Sequence, residues 1–231
     1  MNILAVDATG QSGSVSVMED GNVLGCIYMD NGLVHSVRLL PALDSLLKLL
    51  EFDKKKLDII GVTVGPGSFT GIRIGVSTAN AFSEALGIPV VAVNSLDSLA
   101  MGLSCFEGIL AATIDAQKEG FYTGFYNASG GQINLIGDYQ ILSGADIADK
   151  LGGLDRNFII AGDMAKEENS GTGKFGSDIK FACGIKNNIS AVWTAVLAEK
   201  LFLKGEYTKY AEPFYMRKSH AEAEYDKKHK L

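Results

Sequence analysis

Gly65-Pro66-Gly67-Ser68-Phe69-Thr70-Gly71-Ile72-Arg73-Ile74-Gly75 stands between a strand-like run, Asp58 to Val64, and a helical pattern that continues to Leu86. Strand, glycine-rich turn and helix in that order form the working unit of an α/β protein, so this stretch sets the class of the fold. A glycine-rich turn that opens a helix aims backbone N–H groups and the positive end of the helix dipole at whatever lies ahead, which suits a phosphate. The spacing speaks against that use: no Gly-Lys-Ser/Thr follows, and the pattern is not the Gly-x-Gly-x-x-Gly of dinucleotide folds. The other reading is a tight turn with Ser68 as the helix cap. Gly87 and Pro89 stop the helix, Val90 to Val93 reads as the next strand, and Ser95 caps another helix.

Upstream, Ile3 to Asp7, Ser14 to Met18 and Val23 to Met29 are three short apolar or alternating runs, the last two parted by Asp20-Gly21-Asn22. They predict a three-strand meander. A leucine-rich helix is expected from about Ser36 to Phe52, ended by Lys54-Lys55-Lys56. The second half repeats the order: strands at Ile109 to Ile114, Phe121 to Tyr126 and Gln132 to Gly137, a helix near Ala145 to Leu151, a strand at Phe158 to Ala161 and a last helix from about Ile189 to Leu203. Residues Ala165 to Asn188 read as irregular surface. Two copies of strand-strand-strand-helix-strand-helix predict an α/β protein of two duplicated ribonuclease H-like lobes, mixed sheets flanked by helices, in the actin-like ATPase manner. The expected division is a first lobe at 1–104, a degenerate second lobe at 105–206, and a tail at 207–231 returning onto the first lobe.

The two long helices of the first lobe are unusually apolar. Leu39, Leu40, Leu43, Leu46, Leu47, Leu49 and Leu50 fill about half the circumference of one at 100° per residue. In the other, Gly71, Gly75 and Ala79 recur every four residues as a flat stripe, and Arg73, Ser77, Asn80 and Glu84 share one narrow polar sector. Two readings fit such an excess: a helical protein–protein interface, or full burial inside the lobe.

Asp7, with Thr9 behind it, ends the first strand, and Asp115 ends its counterpart in the second half. In a kinase of the sugar-kinase or actin-like class, Asp7, Thr9 and Asp115 would face a Mg-nucleotide. Asp115-Ala116-Gln117-Lys118-Glu119 lacks the second glycine-rich phosphate loop that such chemistry needs, and a lone Asp at a strand end is a common turn former. His35, His220 and His229 have no metal-ligand spacing, so no metal is assigned. Cys26, Cys105 and Cys183 are odd in number and far apart, and the expectation is three buried free thiols. No apolar run approaches the ~20 residues that cross a bilayer, and Met1 leads straight into Ile3 without a basic start, so the expectation is a cytoplasmic protein away from membranes. A net charge of −6 leaves little basic surface for holding nucleic acid unaided.

Ile3 to Thr9, His35 with Arg38-Leu39-Leu40-Pro41, the Gly65 to Gly75 segment, Asn94-Ser95-Leu96, Ile114-Asp115-Ala116 before Tyr122, and Pro213-Phe214-Tyr215-Met216-Arg217 together resemble the TsaB (YeaZ) family in order along the chain. The resemblance implies a degenerate paralogue of TsaD, the subunit that transfers a threonylcarbamoyl group to the adenosine beside the tRNA anticodon to give threonylcarbamoyladenosine. It implies a subunit without catalytic residues that binds TsaD and the small ATPase TsaE, meets tRNA only through the complex, and forms a homodimer when alone. Its docking surface would be the helix pair, with Leu39, Leu43, Leu47, Gly71, Ile72, Gly75, Ala79 and Phe82 as interface residues. TsaD holds its metal with two histidines, and here only His35 lies in that helix. No cofactor is required on this reading; a vestigial cleft at Asp7, Thr9 and Asp115 would allow weak nucleotide binding, or ATP and Mg²⁺ shared at the complex interface.

Overall fold

The computed structural model describes residues 1–30, 35–152, 157–169 and 179–217. The first half folds as strands β1 (Asn2–Asp7), β2 (Gly13–Glu19) and β3 (Asn22–Met29), helix α1 (His35–Leu49), strand β4 (Ile59–Thr63), helix α2 (Phe69–Leu86), strand β5 (Val90–Val93) and helix α3 (Ser95–Met101). The second half gives β6 (Gly108–Asp115), β7 (Phe121–Ser129), β8 (Gln132–Leu135), β9 (Gln140–Leu142), α4 (Gly144–Gly152), β10 (Phe158–Gly162), α5 (Asp163–Asn169) and α6 (Ala191–Leu203). Strand order is β3-β2-β1-β4-β5 in one sheet and β10-β6-β7-β8 in the other, with β9 paired to β7. In each sheet the leading strand has an antiparallel partner next in sequence and a parallel partner on its other side, β2 and β4 for β1, β7 and β10 for β6. The duplication expected from element order is therefore present in the pairing as well.

Alternation along β1 divides the first lobe's core. Leu4 and Val6 turn to the face covered by α1 and α2, where they meet Leu39, Leu43, Leu46, Ile72 and Val76. Ile3 and Ala5 turn to the opposite face, where Ala191, Ala195 and Ala198 of α6 lie against them. In the second lobe Leu110 and Ala112 face Leu96 and Leu99 of α3, while Ile109 and Ala111 face Ile147, Leu151 and Met164 of α4 and α5. The helix that closes each half thus packs on the sheet of the other half: α3, within 1–104, covers the second sheet, and α6, within 105–206, covers the first. The expected lobes, 1–104 and 105–206, therefore each lend their last helix to the other's sheet. Ser98 Oγ and Thr194 Oγ1 stand 3.0 Å apart where α3 and α6 meet, and the Ala191 N–H donates to Ser14 Oγ at 2.8 Å.

Three expectations change. The helix after β5 is capped by Asn94, whose side chain accepts from the Leu96 N–H, and Ser95 is its first residue. Ala165 to Asn169, the start of the stretch read as irregular surface, belong to α5, which begins at Asp163. Cys26, Cys105 and Cys183 are all exposed, so none is a core thiol. Among the described residues no helix is long and apolar enough to cross a membrane.

Two features of this packing give measurable consequences. Gly61 in β4 lies under α6, and a Cβ there would stand 2.8 Å from the Ala198 Cβ. Gly61→Ala is expected to lower unfolding free energy by about 1–3 kcal/mol, as overpacking does, read from the denaturant midpoint. Asp97 of α3 accepts from the hydroxyls of Tyr126 (2.7 Å) and Tyr139 (2.8 Å), which tie α3 to the second sheet. Burial raises the Asp97 carboxyl above its ordinary value of 3.8, and the two tyrosine hydrogen bonds pull part of the way back. A raised folded-state value means that the native state holds the proton more tightly than the unfolded chain. The stability from this group is then complete below 3.8 and is lost as pH rises through the folded value. Asp97→Asn should flatten that part of the stability–pH curve, and an unchanged slope would overturn the assignment.

Candidate functional site

Asp7 is fully buried at the end of β1. Its Oδ1 accepts from the Thr9 N–H at 3.1 Å, from Thr9 Oγ1 at 2.7 Å and from Thr63 Oγ1 at 2.5 Å. Asp115 repeats part of this, accepting from the Gln117 N–H, also two residues on, at 2.6 Å. Both acids fold their own strand-end turn, the ordinary local use of an Asp side chain. Asp115 is exposed and its N–H donates to Asp163 Oδ2 at 2.9 Å. The two sites differ in what lies over the turn.

In the first lobe, α2 lies over it. The Ser68 N–H donates to the Thr9 carbonyl at 2.7 Å, and Ser68 Oγ accepts from the Gly71 N–H at 3.2 Å, so Ser68 caps α2 as the sequence indicates. A Cβ at Gly71 would fall on the Ala8 carbonyl oxygen, and one at Gly67, whose φ is +151°, on the Thr9 carbonyl oxygen. The glycines are required because a backbone segment occupies the space where side chains would be. Gly75 lies 3.8 Å from both Ala8 Cβ and Val62 Cγ2, measured from an ideal Cβ, inside the same contact. The stripe of Gly71, Gly75 and Ala79 therefore receives the chain's own Ala8-Thr9 turn and first sheet, not a second helix.

The same correction applies to most of the interface residues expected from sequence. Leu39, Leu43, Gly71, Ile72, Gly75 and Ala79 are buried within the chain, and Leu47 and Phe82 are half-buried against the same core. The apolar arc is wide because α2 covers the sheet and also borders α1. Truncating Leu43 to Ala would act on folding, at about 2–5 kcal/mol, before it acted on any partner. What the helix pair does present outward is Leu40 (52% exposed) and Leu49 (79%) on α1, with Ala81 and Ala85 on α2.

The polar sector of α2 is put to internal use by the segment 207–217, which sequence reading placed only as a returning tail. Asn80 exchanges two hydrogen bonds with the backbone of Ala211, at 2.9 and 3.0 Å. Ser83 Oγ donates to the Lys209 carbonyl at 3.2 Å, and the Tyr210 hydroxyl donates to Glu84. Tyr215 stacks on Phe69 with centroids 4.4 Å apart, and Arg73 lies over the Phe69 ring and donates to the Tyr215 hydroxyl at 3.1 Å. The aromatic residues of Pro213 to Arg217 were the available signal in sequence, but without periodicity they name no partner surface. His35 begins α1 with its side chain outside the described residues, as are His220 and His229. Among the described residues no three His, Cys, Asp or Glu side chains are placed to hold a metal ion.

Comparison with known proteins agrees with this architecture. The family model described as TsaD, tRNA N6-adenosine threonylcarbamoyltransferase, matches residues 32–202. A Bacillus subtilis (strain 168) protein described as tRNA threonylcarbamoyladenosine biosynthesis protein TsaB is 34% identical over 164 residues, 70% of this chain and 71% of that one. An Escherichia coli (strain K12) protein of the same description is 30% identical over 128 residues, 54% of this chain and 55% of its own. The solved structure of YeaZ from Pseudomonas aeruginosa superposes with a TM-score of 0.79 at 26% identity, covering 93% of this chain and 99% of that one. With matches that run through both lobes in sequence and in structure, the chain belongs to the TsaB (YeaZ) family.

Proposed function

We propose that this chain is a subunit of the machinery that makes threonylcarbamoyladenosine in tRNA, and that it supports a TsaD threonylcarbamoyltransferase without performing the transfer. The pathway rests on the names of its relatives, which describe biosynthesis proteins and not kinases. The non-catalytic role rests on one observation: the turn after β1 lies under α2, with Asp7 fully buried behind it. A buried carboxylate whose Oδ1 is taken up by Thr9 and Thr63 is poorly placed to serve a nucleotide phosphate, and the turn that would cradle the phosphate has its carbonyls against Gly67 and Gly71.

TsaD and TsaE are the partners in this reading, and the contact surface is the outward side of the α1/α2 pair. On α1 the exposed large apolar side chains are Leu40 and Leu49, which stand about 180° apart round the helix, one on each flank of the buried arc, and both are left exposed by the described residues. The same side serves self-association when no partner is present, and tRNA is met through the complex. The acidic balance of the chain favours that indirect route.

The docking surface is tested by the double variant Leu40→Asp/Leu49→Asp. Its affinity for the TsaD subunit should fall at least tenfold in titration calorimetry, as for loss of apolar anchors, with an unchanged thermal melt. Unchanged affinity would remove the helix pair from the interface. The kinase alternative is tested separately by titrating the isolated chain with Mg-ATP. No stoichiometric binding is expected in the micromolar range, and such binding would revive it.

A further inference from the structure

We propose that residues 207–217 form a clasp, fixed on the first lobe and releasable from the second, that sets the angle between the two lobes. This does not depend on the partner role above.

The first part of the segment is held through its backbone. Thr208 makes a two-way antiparallel bridge with Val90, both hydrogen bonds at 2.9 Å, on the outer edge of the first sheet. Ala211, buried, is gripped by Asn80, and the Phe214 N–H donates to the Val64 carbonyl at 2.8 Å. The Phe214 carbonyl lies over Gly65, where a Cβ would collide with it. Every one of these partners belongs to the first sheet, to α2 or to the turn joining β4 to α2. Of these residues Ala211 is buried, and its hydrogen bonds to Asn80 open only with their surroundings, whereas Thr208 lies on an exposed edge.

From Phe214 onward the segment is held by side chains on both sides: Tyr215 stays on the first lobe, stacked on Phe69 of α2, while Phe214, Met216 and Arg217 reach the second lobe. The Phe214 ring meets Tyr139 edge-on at 6.2 Å, Met216 packs half-buried against the second-lobe core, and Arg217 donates to the Ala116 carbonyl at 3.1 Å. Arg217 also stands 3.4 Å from Glu119, with the two side chains 28% and 51% exposed. These are side-chain contacts at the turn that follows β6, where Asp115 and Gln117 are also exposed. A partly exposed ion pair of this sort is weak and screened by salt. One end of the segment is therefore held far more firmly than the other. Between the lobes it works in parallel with the α3–α6 contact, which joins them at a different place.

The test uses the whole chain without partner. Spin labels on Cys183 and on a Ser45→Cys site, in a Cys26→Ser/Cys105→Ser background, report the distance between the lobes. Arg217→Ala should broaden or shift the distance distribution and speed amide exchange at Ala116 and Gly120 by roughly tenfold, the scale of one hydrogen bond to a charged group. Glu119→Gln should do part of this, and added salt should reproduce that part in the unaltered chain. Exchange at Ala211, whose N–H is buried on Asn80, should be unchanged in both variants, because the first-lobe anchor is intact. An unchanged distance distribution in Arg217→Ala would overturn the clasp. So would exchange that accelerates evenly through both sheets, since that reports a general loss of stability and not release at one end.

Discussion

The backbone of Ala8 and Thr9 lies directly against α2, and this close approach is the constraint on which the first lobe is arranged. It requires glycine at 67 and 71, places Ser68 where its N–H reaches the Thr9 carbonyl, and buries Asp7 behind the turn. Once α2 is seated so deeply, its Ile72, Val76 and Ala79 reach the first sheet and leave a flank for α1. Its opposite flank, with Arg73, Asn80 and Ser83, becomes the bed of the C-terminal segment. A side chain at either glycine would lift the helix from the sheet and disturb all of these contacts together.

A second constraint is that neither half can complete its core alone. The first sheet has α6 on one face and α1 with α2 on the other, while the second has α3 opposite α4 and α5. The alanines of α6 allow its backbone to come close enough that Gly61 has no room for a Cβ beneath it. The exchange brings residues more than ninety positions apart into contact, Ser98 with Thr194 and Ser14 with Ala191. Such non-local closure delays the reward for ordering the chain until both sheets exist.

Much of this architecture is legible in sequence because it is carried by periodicity. The limits of α2 and β5 are met to the residue, and β1 to β4 and β6 to β8 lie within a few residues of the patterns that predict them. What periodicity omits is the identity of the covering surface. A wheel shows that Leu39, Leu43, Ile72 and Ala79 must be covered, but not that the cover is the chain's own sheet. Short or polar elements leave too little pattern: Asp163-Met164-Ala165-Lys166-Glu167-Glu168-Asn169 is a helix because Met164 and Ala165 are buried against the second sheet, and Gln140-Ile141-Leu142 is a strand because β7 is beside it. The candidate site was legible in its members Asp7, Thr9 and Gly71. The relation among them was not, since it consists of the Ala8 and Thr9 carbonyls lying over Gly71 and Gly67.

The bridge between Thr208 and Val90 has a further meaning for the fate of the chain in a crowded solution. A sheet ends in strands whose free N–H and C=O groups can recruit a strand from another molecule, and proteins commonly block them. Here Pro89, which has no N–H to offer, and Thr208 occupy the β5 side, while β3 on the other side carries exposed Val23 and Leu24. The segment that ties the lobes thus also narrows self-templating of the first sheet to a single border, so that growth from both sides into an extended ribbon is blocked at one of them.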